Sequence, residues 1–204
     1  MTRDANLHQL KSAQTRARLL DAATDVLQSK GYGQLSLHEV ARAAHMTTGA
    51  VQHHFGSKAA LMMEVIVHVV DKLDQGKDFW PPARWTAQRR ADHFVRQAWL
   101  QLYSQPRFTA AWSAYLAARD DPLMTAHILE RRTQLAQRLS QRMHESLPEL
   151  LAWPDGQSKV HFVLSCLRGL GLQAPFAEPA VIQSQLKVLS QTLQSFLKLP
   201  ETPP

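Results

Sequence analysis

Between Ser36 and Lys58 the chain starts a helix three times, and no other segment constrains the fold as closely. Ser36-Leu37-His38-Glu39 has the form of a capping box. In it the serine hydroxyl accepts from a free N–H at the helix start, and Glu39 reaches back to the serine amide. The apolar face that follows, Leu37, Val40, Ala41 and Ala44, runs for only about eight residues before His45-Met46. Thr47 then caps a third short helix through Phe55, Gly56 breaks it, and Ser57 caps a fourth that stays apolar to Leu73. Two helices this short, separated by so few residues, form a helix-turn-helix.

The rest of the chain repeats the helical period. Strand-like alternation is hard to find, and the 204 residues hold eight glycines, so the fold class is all-α. A first helix, about Lys11 to Lys30, puts Leu19, Leu20, Ala23, Val26 and Leu27 on one stripe and ends at Gly31, which can take a left-handed cap conformation. Past Pro81-Pro82, helices are expected over Arg84 to Ser104, Pro106 to Ala118, Asp121 to Ser146, Ser158 to Gln173 and Pro179 to Leu199. Pro106, Pro122 and Pro179 each suit a first helical turn, where the missing N–H costs nothing. Glu201 to Pro204 reads as a loose tail.

Composition excludes several classes. One cysteine, Cys166, closes no intrachain disulfide, which removes the small secreted scaffolds and fits a reducing compartment. The most apolar stretch, Leu61 to Leu73, is interrupted by Glu64, His68, Asp71 and Lys72 and falls short of the ~18 residues that span a bilayer. The first residues show no apolar leader, and the expectation is a soluble, cytoplasmic protein without a membrane partner. A net charge of +6 favours an anionic partner. Residues 1–60 carry seven basic and four acidic side chains, so basic density is higher there, and five of the ten histidines lie in the same segment.

The run from Leu35 to Leu61, with its capping box, Val40-Ala41-Arg42-Ala43-Ala44, Gly49, His53-His54-Phe55 and the Ser57-Lys58 helix start, resembles the DNA-binding signature of the TetR family of bacterial transcriptional regulators. The likeness covers about 50 residues from Arg16 onward, and the C-terminal two thirds carry no matching motif. It implies an N-terminal three-helix helix-turn-helix DNA-binding domain at 1–60 and a helical ligand-binding and dimerisation domain at 61–204. The partners implied are an operator duplex, a second copy of the chain and a small-molecule ligand, with no cofactor. Where family members usually carry glycine in the turn, this chain has His45. Either the turn is not left-handed there, or His45 adopts that conformation at modest cost. Gln52 stands where tyrosine is usual.

In a helix-turn-helix the second helix presents its N-terminal side chains to base edges. Here those are Thr47, Thr48, Gly49 and Ala50, with Gln52 and His53 one turn on. Small residues at 47–50 allow close approach, and Gln52 can bond adenine through both ends of its amide. Val51 and Phe55 should face inward. Lys58, His54, Ser36, Thr47 and Arg16 are the candidate phosphate contacts.

Other constellations are weaker. His45, His53 and His54 do not make a metal site, since neighbours on a helix diverge by about 100 degrees and no cysteine or carboxylate completes the set. Cys166 lies on an apolar helix and is expected to pack as a small hydrophobe. Trp85, Trp99, Tyr103, Trp112 and Tyr115 are candidates for a ligand pocket, although core packing accounts for each one singly. Ser165 and Gly169 form a small-residue stripe and Leu186, Leu189 and Leu193 an apolar one. Both are candidates for a dimer interface, and the leucine stripe is equally suited to burial within the monomer. No nucleophile motif, phosphate loop or metal-spaced cluster points to an enzyme. A helical protein whose C-terminal domain binds a protein partner remains the alternative.

Overall fold

The computed structural model describes residues 3–75, 78–117 and 122–198, and every regular element among them is helical. The helices are α1 (Arg3–Gln34), α2 (Leu37–Ala43), α3 (Thr48–Phe55), α4 (Lys58–Gln75), α5 (Ala87–Ala98), α6 (Pro106–Ala117), α7 (Pro122–Ser146), α8 (Gly156–Gln173) and α9 (Pro179–Phe196). A π-helical turn at Trp99–Tyr103 continues α5, and 3-10 turns follow α7 and α8. No helix among the described residues is long and apolar enough to cross a membrane.

Helix boundaries follow local chemistry. α1 reaches back to Arg3, well before the expected start, and its helical geometry breaks at Gly31, whose φ of 74° costs nothing without a Cβ. α5 begins at Ala87 and not Arg84, because the Thr86 hydroxyl accepts from the Arg89 amide at 3.3 Å and sets the cap there. The widened π turn frees two carbonyls, and side chains take both. Gln105 donates to Leu100 O at 2.6 Å and Arg107 to Gln101 O at 2.5 Å.

The chain divides into two compact units, Met1–Val69 with Ala110–Arg131, and Val70–Thr109 with Arg132–Pro204. In the first, Leu19, Leu20, Ala23, Val26 and Leu27 of α1 are buried with Val40 and Ala41 of α2, Val51 and Phe55 of α3, and Leu61, Met62 and Val65 of α4. Two polar pairs tie α1 to α4. Arg16 donates to Glu64, and His68 Nε2 lies 2.7 Å from an Asp21 carboxylate oxygen.

In the second unit α5 and α9 pack closely, with α8 against α9 and the π turn. The core holds Trp80 stacked on Phe94, Trp99, Tyr103, Met143, Leu147, Leu167 and the inner face of α9. Leu186, Leu189 and Leu193 belong to that core, so the apolar stripe of α9 is spent within its own chain. Arg90 is buried and donates to Ser146 O at 3.1 Å and to both carboxylate oxygens of Glu149. This forked pair satisfies a carbonyl at the end of α7 and anchors α5 to it.

Glycine is obligatory where α8 begins. A Cβ on Gly156 would sit 1.8 Å from the Leu150 carbonyl oxygen, a backbone atom that cannot swing away. Gly156→Ala should therefore lower unfolding stability by about 3 kcal/mol, as overpacking against fixed backbone does. Chemical denaturation checks this, and unchanged stability would mean that α8 does not start under that carbonyl.

Candidate nucleic-acid interface

α2 starts as its sequence requires, with the Ser36 hydroxyl accepting from the Glu39 amide at 3.1 Å. The reciprocal half of the capping box is not made. Glu39 turns instead to Lys30 at 2.5 Å and Arg42 at 2.7 Å, and these bonds hold its carboxyl at about 2, far below the ordinary carboxylate range. The cluster ties the end of α1 to α2.

The turn between α2 and α3 is left-handed. His45 has φ 55°, the only positive φ among the described non-glycine residues. Its amide donates to Arg42 O at 3.2 Å, and the next amide, from Met46, donates to Ala41 O at 2.9 Å. That pair of bonds is a Schellman closure with His45 in the place glycine usually holds. Of the two possibilities open at the sequence level, histidine in the left-handed conformation is the one observed.

Thr47 then restarts the helix, its hydroxyl accepting from the Ala50 amide at 3.2 Å. Val51 and Phe55 are buried, and Thr48, Gly49, Gln52 and His53 are exposed on the opposite side. Ala50 and His54 are half-buried. Gly49 has no positive φ, and a Cβ there would meet nothing nearer than the Thr47 hydroxyl at 3.9 Å. The fold does not need glycine at 49; its effect is to leave a flat, open patch at the start of α3.

Gln52, expected to project as a base reader, donates from Nε2 to Gly56 O at 2.5 Å and so ties the end of its own helix. Reading adenine with both ends of the amide would require it to swing from this carbonyl. Gly56 ends α3 with φ 71°, and the Ser57 hydroxyl caps α4 by accepting from the Ala60 amide at 3.1 Å. Lys58 opens α4 and is half-buried.

Arg16, expected at the phosphates, keeps an internal role as well. It pairs with the buried Glu64 while its guanidinium lies 5.4 Å from the Phe55 ring centre, and its side chain remains 36% exposed. His54 is half-buried beside the Phe55 ring. Burial first, then the neighbouring His53 and Arg16, hold its imidazole below the usual range. His38 and His45, passed over as site residues in the sequence, are exposed on the same module. Counting titratable groups along the segment would have singled them out.

The C-terminal candidates scatter. Trp99 and Tyr103 are buried in the core of the second unit, where burial pushes the Tyr103 phenol up to about 12. Trp85 is half-buried, with the Arg89 guanidinium 3.8 Å over its ring and His93 edge-on at 5.3 Å. Trp112 is half-buried in the first unit, and the Tyr115 side chain lies outside the described residues. A surface groove of about 620 Å³ in the second unit is lined by Gln137, Ser140, Gln141, His144, Glu145, Leu151 and Gln157, and by none of these aromatics. Ser165 and Gly169 of α8 are exposed, unlike the three α9 leucines. Burial pushes the Cys166 thiol up from its ordinary range.

Two short capped helices around a left-handed turn, presenting a flat, acid-free helix start, define a helix-turn-helix of the kind that sets its second helix in the major groove of DNA. Residues 19–65 match the model of the bacterial regulatory proteins, tetR family. Among curated relatives, the chain is 29% identical over 100 residues to the HTH-type transcriptional regulator BetI of Rhizobium meliloti (strain 1021), covering 49% of each chain. It is 36% identical over 71 residues to the HTH-type transcriptional regulator SrpR of Pseudomonas putida, covering 35% of this chain and 32% of that one. The chain thus spans half or less of the length of these relatives. Among solved structures it resembles a TetR transcriptional regulator from Rhodococcus sp. RHA1, with a TM-score of 0.69 at 18% identity over 89% of this chain and 95% of that one. It also resembles the multidrug binding protein EbrR complexed with imidazole, with a TM-score of 0.61 at 19% identity over 93% of each. The match to the tetR-family model thus covers the helix-turn-helix segment, residues 19–65 of this chain.

The left-handed turn makes a direct prediction. His45→Gly should leave stability unchanged or raise it by up to about 1 kcal/mol, whereas the same exchange at an ordinary helical position costs about that much. Urea denaturation decides, and a loss of about 1 kcal/mol would mean that residue 45 is not left-handed.

Proposed function

We propose that this chain is a homodimeric, sequence-specific DNA-binding transcriptional regulator, a repressor released from a palindromic operator by a small-molecule ligand. The observation that carries the reading is the exposed start of α3, where Thr48, Gly49 and Gln52 stand open beside Thr47 on a helix with no acidic residue. Small side chains at its start let such a helix approach the base edges closely, and the lack of acidic side chains on it avoids repulsion from the flanking phosphates. In this reading Thr47, Thr48, Gly49, Ala50 and Gln52 meet base edges. Ser36, His53, His54, Lys58 and the exposed part of Arg16 meet the flanking phosphates.

Two copies of so short a module read an inverted repeat when their recognition helices lie about 34 Å apart. The dimer surface in this reading lies on the outer faces of α8 and α9, where Phe162, Ser165, Gly169, Val181 and Val188 are exposed. It replaces the α9 leucines, which the core has already taken. The functional division falls near residue 60, with the ligand held in the helical remainder, as the name of the neighbour EbrR suggests for that protein. A ligand that prefers one position of α4, the helix leaving the DNA module, changes the spacing of the two recognition helices. It weakens DNA binding by its differential affinity for the two states and no more. Such a regulator works beside the chromosome, in the cytoplasm.

Selection of the purified chain against a random duplex pool at about 150 mM salt, where non-specific attraction is already reduced, tests this reading. The expected outcome is an enriched inverted repeat, and a folded protein that enriches nothing would refute it. With the operator in hand, Gln52→Ala should relax preference at one or two positions per half-site and cost about 1 to 3 kcal/mol. An unchanged sequence preference would leave Gln52 with its bond to Gly56 alone.

A further inference from the structure

The helix-turn-helix carries no net permanent charge. From Leu35 to Ser57 the acidic side chain is Glu39 and the permanently basic one Arg42, and the two are bonded to each other. The same segment holds four of the ten histidines, His38, His45, His53 and His54. Imidazole is the side chain whose ordinary titration falls between about pH 5 and 8, a range in which DNA phosphodiesters stay anionic. Within this segment, the side chains able to change charge in that range are therefore the histidines.

His53 and His54 close α3, with ring centres 5.5 Å apart. His53 is exposed, and His54 is half-buried with its ring 6.1 Å from that of Phe55. Arg16 of α1, bonded to Glu64 of α4, is the charged group that acts on His54, and Lys58 follows the pair in the chain at the start of α4. On α2, His38 Nδ1 stands 4.0 Å from a Glu39 oxygen that Lys30 and Arg42 already engage. Burial first, then His53 and Arg16, disfavour a charged imidazole at His54 in the free protein. A backbone phosphate reverses that balance.

We propose that DNA binding by this module is proton-linked: His53 and His54 take up protons as they meet backbone phosphates, and affinity rises as pH falls from about 8 to about 6. The inference rests on the DNA-binding reading above and adds its regulation. The sign follows from linkage. A nearby phosphate favours the charged imidazole, so the complex binds more protons than the free chain and the association constant increases as pH falls.

The test is fluorescence anisotropy with a labelled mixed-sequence duplex of about 30 base pairs at about 100 mM salt, which needs no knowledge of the operator. For the unaltered chain the dissociation constant should be at least about tenfold lower at pH 6 than at pH 8, with a steeper salt slope at pH 6. The double variant His53→Gln/His54→Gln should reduce that ratio to below about threefold. His53→Arg/His54→Gln, with one fixed charge, should bind at pH 8 more tightly than the unaltered chain and respond little to pH. Equal affinity at both pH values, or a double variant that keeps the full ratio, overturns the proton linkage. Absence of binding at every pH overturns the DNA-binding reading itself.

Discussion

The direction of α3 is set across four residues, Ala44 to Thr47, and the rest of the exposed α3 surface depends on that turn. His45 takes the left-handed conformation that lets two successive amides close α2 onto Arg42 and Ala41. Thr47 then supplies the hydroxyl that starts α3. A slack turn would let α3 rotate about its own axis, burying part of the face formed by Thr48, Gly49 and Gln52. Val51 and Phe55 prevent this by anchoring the opposite side in the core, with Phe55 lying beside Arg16. The flat surface is thus a product of backbone closure and core packing together.

Polar bonding around the module is strongly internal. Glu39 engages Lys30 and Arg42, Glu64 engages Arg16, and the Gln52 amide holds the Gly56 carbonyl. These bonds position α1, α2 and the end of α3. They also moderate the fixed charge that would otherwise face an anion. Between Leu35 and Ser57 the side chains able to add positive charge beyond the paired Arg42 are histidines.

The starts of α2, α3 and α4 were legible in the sequence because each depends on one hydroxyl and an amide three residues on, at Ser36, Thr47 and Ser57. Partner choice among long charged side chains was not. Glu39 satisfies the capping-box spacing, yet Lys30, nine residues upstream, reaches it once α1 and α2 pack. The N-terminal extension of α1 escaped notice because Leu7 and Leu10 remain exposed and make no core stripe. In α9 periodicity identified an apolar face without saying what covers it, and the covering turned out to be the core of its own unit. The π turn depends on bonds from Gln105 and Arg107, and local spacing carries no signal of those.

The central claim is that the open patch at the start of α3 exists for close approach to DNA. Gly49 isolates that claim, since a Cβ there would meet nothing nearer than the Thr47 hydroxyl at 3.9 Å. The decisive measurement is the affinity of Gly49→Leu for duplex DNA, beside its thermal unfolding. The account predicts a folded protein of unchanged or slightly raised stability, because leucine is the better helix former, whose specific DNA affinity falls at least about tenfold as the side chain holds the helix off the bases. Unaltered affinity in the folded variant would contradict it.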